Sequence, residues 1–161
     1  MPRVLDLEIG TGRLVLRVAV GVLLSAMVFF FLSYVPSNLP FLIGKFMPSD
    51  FPNVVGQIAP GLVHPSLPVL GVFVSASVFL EVLFRKTKAY GPVLIFAGLV
   101  STLYVYFAFQ GGVIALAIPK ELTMGVQVRA SLDLSSVMVL CMLPTLLTVL
   151  RGAVMSLSRK H

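Results

Sequence analysis

Four stretches of this sequence are long, apolar and free of acidic or basic residues apart from His64. They cover residues 18–44, 51–80, 89–119 and 134–150. A helix needs roughly 20 apolar residues to cross the hydrocarbon core of a bilayer, which is about 30 Å thick. The pattern predicts an all-α membrane protein with a four-transmembrane-helix bundle. We expect its helices at about residues 14–35, 67–84, 92–110 and 135–157.

Proline positions refine three of these helices. Pro36 is expected to end the first helix, and Pro92 suits the first turn of the third. Pro144 falls inside the fourth helix, where it removes a backbone hydrogen bond and should introduce a kink.

Residues 36–66 connect the first two spans and are rich in proline, with prolines at positions 36, 40, 48, 52, 60 and 65. This spacing argues against any long helix. The segment is nevertheless apolar, so we expect short helical turns that lie on the membrane surface or cap the bundle. A re-entrant loop is the alternative, and it requires that protein covers the backbone.

The connection between the third and fourth spans has the pattern of a β-hairpin at about residues 113–134. Apolar and polar residues alternate strictly from Val126 to Leu134, as in a strand with one buried face. The alternative is a third helix that continues through Ile118. We favour the hairpin, which would lie outside the cytoplasm.

The composition agrees with a membrane protein. The 161 residues are 58% hydrophobic and 11% charged, whereas soluble domains carry about 25% charged residues. The length fits one membrane domain, residues 1–161. A net charge of +6 would suggest nucleic acid in a soluble protein, but here the basic residues flank apolar spans. We therefore expect contacts with membrane lipid and exclude nucleic acid as a partner.

The basic residues also predict orientation, since cytoplasmic segments of membrane proteins carry most of the lysine and arginine. Nine of the twelve fall on the side that holds both termini: Arg3, Arg13, Arg17, Arg85, Lys86, Lys88, Arg151, Arg159 and Lys160. We expect a multi-pass protein of the cell membrane with both termini cytoplasmic.

Glu81 is the only acidic residue inside a predicted span. Intramembrane carboxylates often mark ion or proton paths, but Arg85 follows one turn later and favours a neutral ion pair. Arg17 is expected to anchor the first helix, with pairing to Glu81 as an alternative. A polar path would add Ser75, Ser101 and Tyr104.

Small residues suggest where helices approach one another. Gly21 and Ser25, and likewise Gly71 and Ser75, have the spacing of small residues at helix contacts. These contacts serve either packing within the chain or association between chains. Strand residues Val126 and Val128 are a further candidate association surface.

The sequence contains no recognisable catalytic, phosphate-binding or metal-binding motif, and we expect no cofactor. The leading hypothesis is a non-enzymatic membrane protein that forms a homo-oligomer or joins other membrane subunits. An oligomeric channel or transporter is the first alternative. An intramembrane enzyme acting on a lipid or quinone is the second, and it would use Arg17, Glu81 and Arg85. The low content of Asn, Gln and Cys suggests a thermophilic source.

Overall fold

The computed structural model describes residues 11–46, 63–118 and 128–158. Its elements in chain order are α1 (Thr11–Phe29), a π-helical turn (Phe30–Tyr34), α2 (Val35–Phe46), α3 (Leu67–Phe84), α4 (Tyr90–Ala108), a 3₁₀ turn (Gln110–Gly112), β1 (Val113–Ile118), β2 (Val128–Asp133) and α5 (Ser135–Ser158). Within these residues, four helical segments are long and apolar enough to cross a membrane, at Leu14–Leu39, Leu67–Phe84, Tyr90–Ala108 and Ser135–Ser158. The prediction of four helices long and apolar enough to span a membrane is therefore confirmed.

The first span does not end at Pro36, so that prediction is wrong. The helix passes through the π-helical turn and continues as α2 to Phe46. Proline has no N–H to give to the carbonyl four residues earlier, which here is that of Leu32. The Tyr104 hydroxyl of α4 donates to that carbonyl instead, at 3.1 Å. A helix tolerates proline when another group satisfies the released backbone oxygen.

Two more side chains support the backbone at the same place. The Ser37 hydroxyl donates to the carbonyl of Ser33 at 2.7 Å, and the Asn38 amide donates to that of Tyr34 at 2.8 Å. These side-chain bonds add to the backbone hydrogen bonds where the π-helical turn passes into α2. The expectation that residues 36–66 hold no long helix therefore fails for residues 36–46, while residues 47–62 lie outside the described part.

The four spans form an open row. In the described chain α1 packs against α3, α3 against α4 and α4 against α5, while α1 and α5 share no contact of similar extent. In an 18-residue apolar stretch of each span, only 6% of the residues are buried in the first and last spans, against 28% in α3 and α4. The inner helices therefore carry the core, which includes Leu67, Val74, Leu94 and Ala97.

Small residues let α4 and α5 approach closely as antiparallel neighbours. A Cβ atom added at Gly152 would lie 2.8 Å from the carbonyl oxygen of Gly91, and one added at Gly98 would lie 2.9 Å from that of Thr145. Gly91 and Gly98 are seven residues apart, as are Thr145 and Gly152, so each pair lies on one helix face. Close backbone approach strengthens van der Waals packing in a bilayer.

The predicted hairpin is present as an antiparallel pair of strands. Val113 pairs with Asp133 and Ile118 with Val128. Gly111 and Gly112 have φ values of 75° and 97°, which turn the chain out of α4 into β1. The carbonyl of Gly112 then accepts from Leu134 N–H at 2.7 Å and ties the start of β1 to the start of α5.

Candidate intramembrane polar site

A cleft with both polar and apolar lining lies among α3, α4 and α5 and has a volume of about 190 Å³. Its lining consists of one carboxylate, three hydroxyls and small or cyclic residues: Glu81, Ala97, Gly98, Ser101, Pro144, Thr145 and Thr148. At Gly98 the backbone of α4 lies directly against α5, which brings the two helices together at the wall of the cleft. Thr145 lies near the middle of α5, so the polar lining reaches well into the predicted membrane span.

Glu81 lies about one turn before the end of α3 and is half-buried. Arg151 of α5 is the cation that acts on it electrostatically. Arg85 is exposed and, in the part of the chain that the structure describes, neither Arg85 nor Arg17 forms an ion pair with Glu81. The pairs expected with Arg85 and Arg17 are therefore not formed among the described residues, and Arg151 makes no ion pair with Glu81 either.

The hydroxyls of α5 are oriented by their own helix. Thr148 donates to the carbonyl of Pro144 at 3.0 Å, and Thr145 lies 2.7 Å from the carbonyl of Met142. Thr145 also shares a 2.8 Å hydrogen bond with Thr102 of α4. Ser101 has no hydrogen bond to any described residue, so its hydroxyl is open to the cleft.

Two other residues of the predicted polar path lie elsewhere, at contacts with the first span. The carbonyl of Ser75 accepts the Ser25 hydroxyl at 2.8 Å, and Tyr104 is held by Leu32 as described above. The Arg17 side chain has a buried Nη1 atom with no hydrogen-bond partner among the described residues. Of the predicted path residues, only Glu81 and Ser101 line the cleft.

Three of the predicted association residues are used inside the chain. Gly21 faces Phe79 of α3, and Ser25 bonds to α3 as above. Gly71 lies directly against the backbone of Leu32. These residues therefore belong to the α1–α3 contact. Val128 pairs with Ile118 in the hairpin, and Val126 lies outside the described residues.

Sequence reasoning missed Thr145, Thr148 and Arg151 as members of the site. They are spaced three residues apart, so they follow one face of α5 and lead from Pro144 toward the helix end. This spacing is a detectable signal, but only the packing of α5 on α4 shows that the face meets Glu81.

A wider groove of about 430 Å³ lies between α1 and α3 and is mostly apolar. Its two hydroxyl residues, Ser25 and Ser75, are both engaged in hydrogen bonds to backbone carbonyls. The groove therefore offers packing surface and little chemistry.

Comparison with known proteins finds no family, no curated protein and no solved structure that is significantly similar to this chain. Within residues 11–46, 63–118 and 128–158, no three His, Cys, Asp or Glu side chains come together in a way that would hold a metal ion.

Proposed function

We propose that this chain is a non-enzymatic membrane protein that functions through association, with copies of itself or with other membrane subunits. The observation that supports the proposal is the half-buried Glu81, in a cleft that opens at the surface of a single row of helices. A charged side chain that faces lipid costs about 2.5–3.5 kcal/mol or more at the centre of a span, and less near its end, where Glu81 lies. A neighbouring helix that covered the cleft would remove that cost.

The open row adds support. Spans α1 and α5 lie at its two ends, and each leaves most of its large apolar side chains exposed. Lipid can cover these faces, but lipid tails offer no polar groups to the cleft. A partner helix can provide both apolar contact and polar groups.

The experiment is a mass measurement of the protein after extraction in mild detergent or in nanodiscs. We expect a multiple of the 17.4 kDa chain mass, or a stable complex with other membrane proteins. Thr148→Trp, which fills the cleft, should lower the associated fraction, whereas Lys86→Trp, exposed in the loop between α3 and α4, serves as the control. A lone monomer with no co-purifying protein would remove this proposal.

The second candidate is a channel or transporter, with a path completed by association. The hydroxyls of Ser101, Thr145 and Thr148 favour it, because they extend the polar lining from Glu81 toward the middle of α5. Ion or solute flux into liposomes that contain the protein tests it, and unchanged flux in Glu81→Gln would argue against a role for the carboxylate. For the intramembrane enzyme we find no support, since Arg17, Glu81 and Arg85 do not converge in the described chain.

A further inference from the structure

The carboxylate of Glu81 lacks a direct partner. In the described part of the chain it accepts no hydrogen bond and forms no ion pair, although it lines the cleft. Of the neighbouring helices, α5 contributes one charged group, Arg151. Helix α4 has no acidic or basic residue from Tyr90 to Ala108, and Arg17 is on α1. Arg151 is exposed and forms no ion pair with Glu81, so its head group can lie at the membrane surface.

The hydroxyls that line the cleft together with Glu81 can act as oxygen acceptors. Because Thr148 gives its hydrogen to the carbonyl of Pro144, the lone pairs of its oxygen remain for another group. The hydroxyl of Thr145 lies 2.7 Å from the carbonyl of Met142 and shares a hydrogen bond with Thr102, so at least one of its lone pairs also remains. Oxygen atoms of this kind replace the water around an alkali-metal cation inside a membrane protein.

The charge and the volume of the cleft restrict which ligand it can hold. One carboxylate among neutral oxygens balances a single positive charge. A volume of about 190 Å³ holds a small ion with a few waters, each of which takes about 30 Å³ in the liquid. Sites for organic ligands usually measure about 300–1,000 Å³.

We propose that the cleft binds an exchangeable monovalent cation, either an alkali-metal ion or a proton, on the carboxylate of Glu81, with Ser101, Thr145 and Thr148 contributing neutral oxygen atoms. The site belongs to one chain, so it does not depend on association. Loading of the site neutralises Glu81.

Labelling with dicyclohexylcarbodiimide tests the proposal, because this apolar reagent modifies protonated carboxyl groups in apolar surroundings. The full-length protein in detergent is treated at a series of pH values, in sodium chloride or in choline chloride at equal ionic strength. Mass spectrometry of peptides then compares Glu81 with Asp133, an exposed carboxylate outside the spans. Glu81→Gln should abolish the label at this position.

The two cations give different results. If the occupant is an alkali-metal ion, sodium slows labelling of Glu81 about tenfold at ten times its dissociation constant, and choline does not. If it is a proton, sodium has no effect and labelling of Glu81 extends to higher pH in the folded protein than in the same protein unfolded in sodium dodecyl sulfate. Absence of labelling at Glu81 in the folded protein, or labelling that responds neither to sodium nor to unfolding, would overturn the proposal.

Two variants test the neutral ligands. Thr148→Ala removes a cleft hydroxyl, whereas Ser156→Ala removes a hydroxyl of the same helix that donates to the carbonyl of Gly152 at 2.8 Å, outside the cleft. We expect Thr148→Ala to shift the sodium or pH dependence of Glu81 labelling and Ser156→Ala to leave it unchanged. Equal behaviour of the two variants would contradict a ligand role for Thr148.

Discussion

Individual glycine residues, which carry no side chain, determine how closely α4 and α5 approach each other. At Gly152 a methyl group would meet backbone atoms of Gly91 and Ile95, each at 2.8 Å, and backbone cannot move aside as a flexible side chain can. Gly12 is the opposite case, since a Cβ atom there meets nothing within 4 Å. The two positions therefore separate the effect of helix packing from the general effect of replacing glycine.

Gly152→Ala is expected to destabilise the protein by about 1–3 kcal/mol, the usual cost of overpacking. Gly12→Ala should be neutral or slightly stabilising, because alanine favours the helix. Thermal unfolding in detergent, followed by circular dichroism, measures both variants. Equal melting temperatures for the two would show that α4 and α5 are not packed through Gly152.

Asp133 provides a pH-dependent contact at the start of α5. Its pKa is lowered from its ordinary value of 3.8, first by the side-chain hydrogen bond from Ser135 and then by the Ser135 backbone N–H, which donates at 2.9 Å. A carboxyl group whose pKa is lower in the folded than in the unfolded state stabilises the fold at pH values above its ordinary pKa. This contribution is lost as the pH falls through the pKa of the folded state.

We expect Ser135→Ala to raise the pKa of Asp133 toward its ordinary value, with part of the shift kept by the backbone bond. Ser136→Ala removes the neighbouring, exposed hydroxyl and should leave the pKa unchanged. A carbon-13 NMR titration of the Asp133 carboxyl group measures both. The same titration curve in both variants would contradict the hydrogen bond.

At the scale of elements, the first span shows that a residue far away in the sequence can offset the effect of a proline on a helix. Proline chemistry predicts a helix end at Pro36, yet the hydroxyl of Tyr104 satisfies the Leu32 carbonyl that Pro36 leaves free. The helix consequently runs on into α2. A bond between residues so far apart in the chain is not visible in sequence periodicity.

Tyr104→Phe should cost about 0.6–1 kcal/mol, the typical value of such a hydrogen bond. The cost should fall toward zero in a Pro36→Ala background, because the alanine N–H can then serve the Leu32 carbonyl. Tyr106→Phe removes a hydroxyl that has no hydrogen bond within the described residues, and it is the control. Additive effects of Pro36→Ala and Tyr104→Phe would contradict the compensation.

Other elements were predictable because their signals are local. The span at 67–84 matches α3, and the alternation from Val126 to Leu134 correctly predicts a strand that pairs with β1. Glu81 was also identifiable, as the single acid in an apolar stretch. Its neighbours Thr148 and Arg151 were not, because which face of α5 meets α3 and α4 is decided by packing between helices.

At the scale of the whole molecule, an even number of spans returns the chain to the side on which it began. The loop between α3 and α4 is basic, with Arg85 and Lys86 exposed, whereas the hairpin lies at the other end of these helices. Under the positive-inside rule we propose that the basic loop and both termini are cytoplasmic. The cleft with Glu81 then opens near the cytoplasmic face.

Cysteine labelling in intact cells tests this arrangement most directly. Single cysteines replace Gly12, Lys86 or Ser131 in a Cys141→Ala background, and a membrane-impermeant maleimide is applied before and after permeabilisation. We predict that the cysteine at position 131, in the hairpin, reacts in intact cells, whereas those at 12 and 86 react only after permeabilisation. Reaction of positions 86 and 131 from the same side would contradict the four-span arrangement on which the cleft, the association and the cation site all depend.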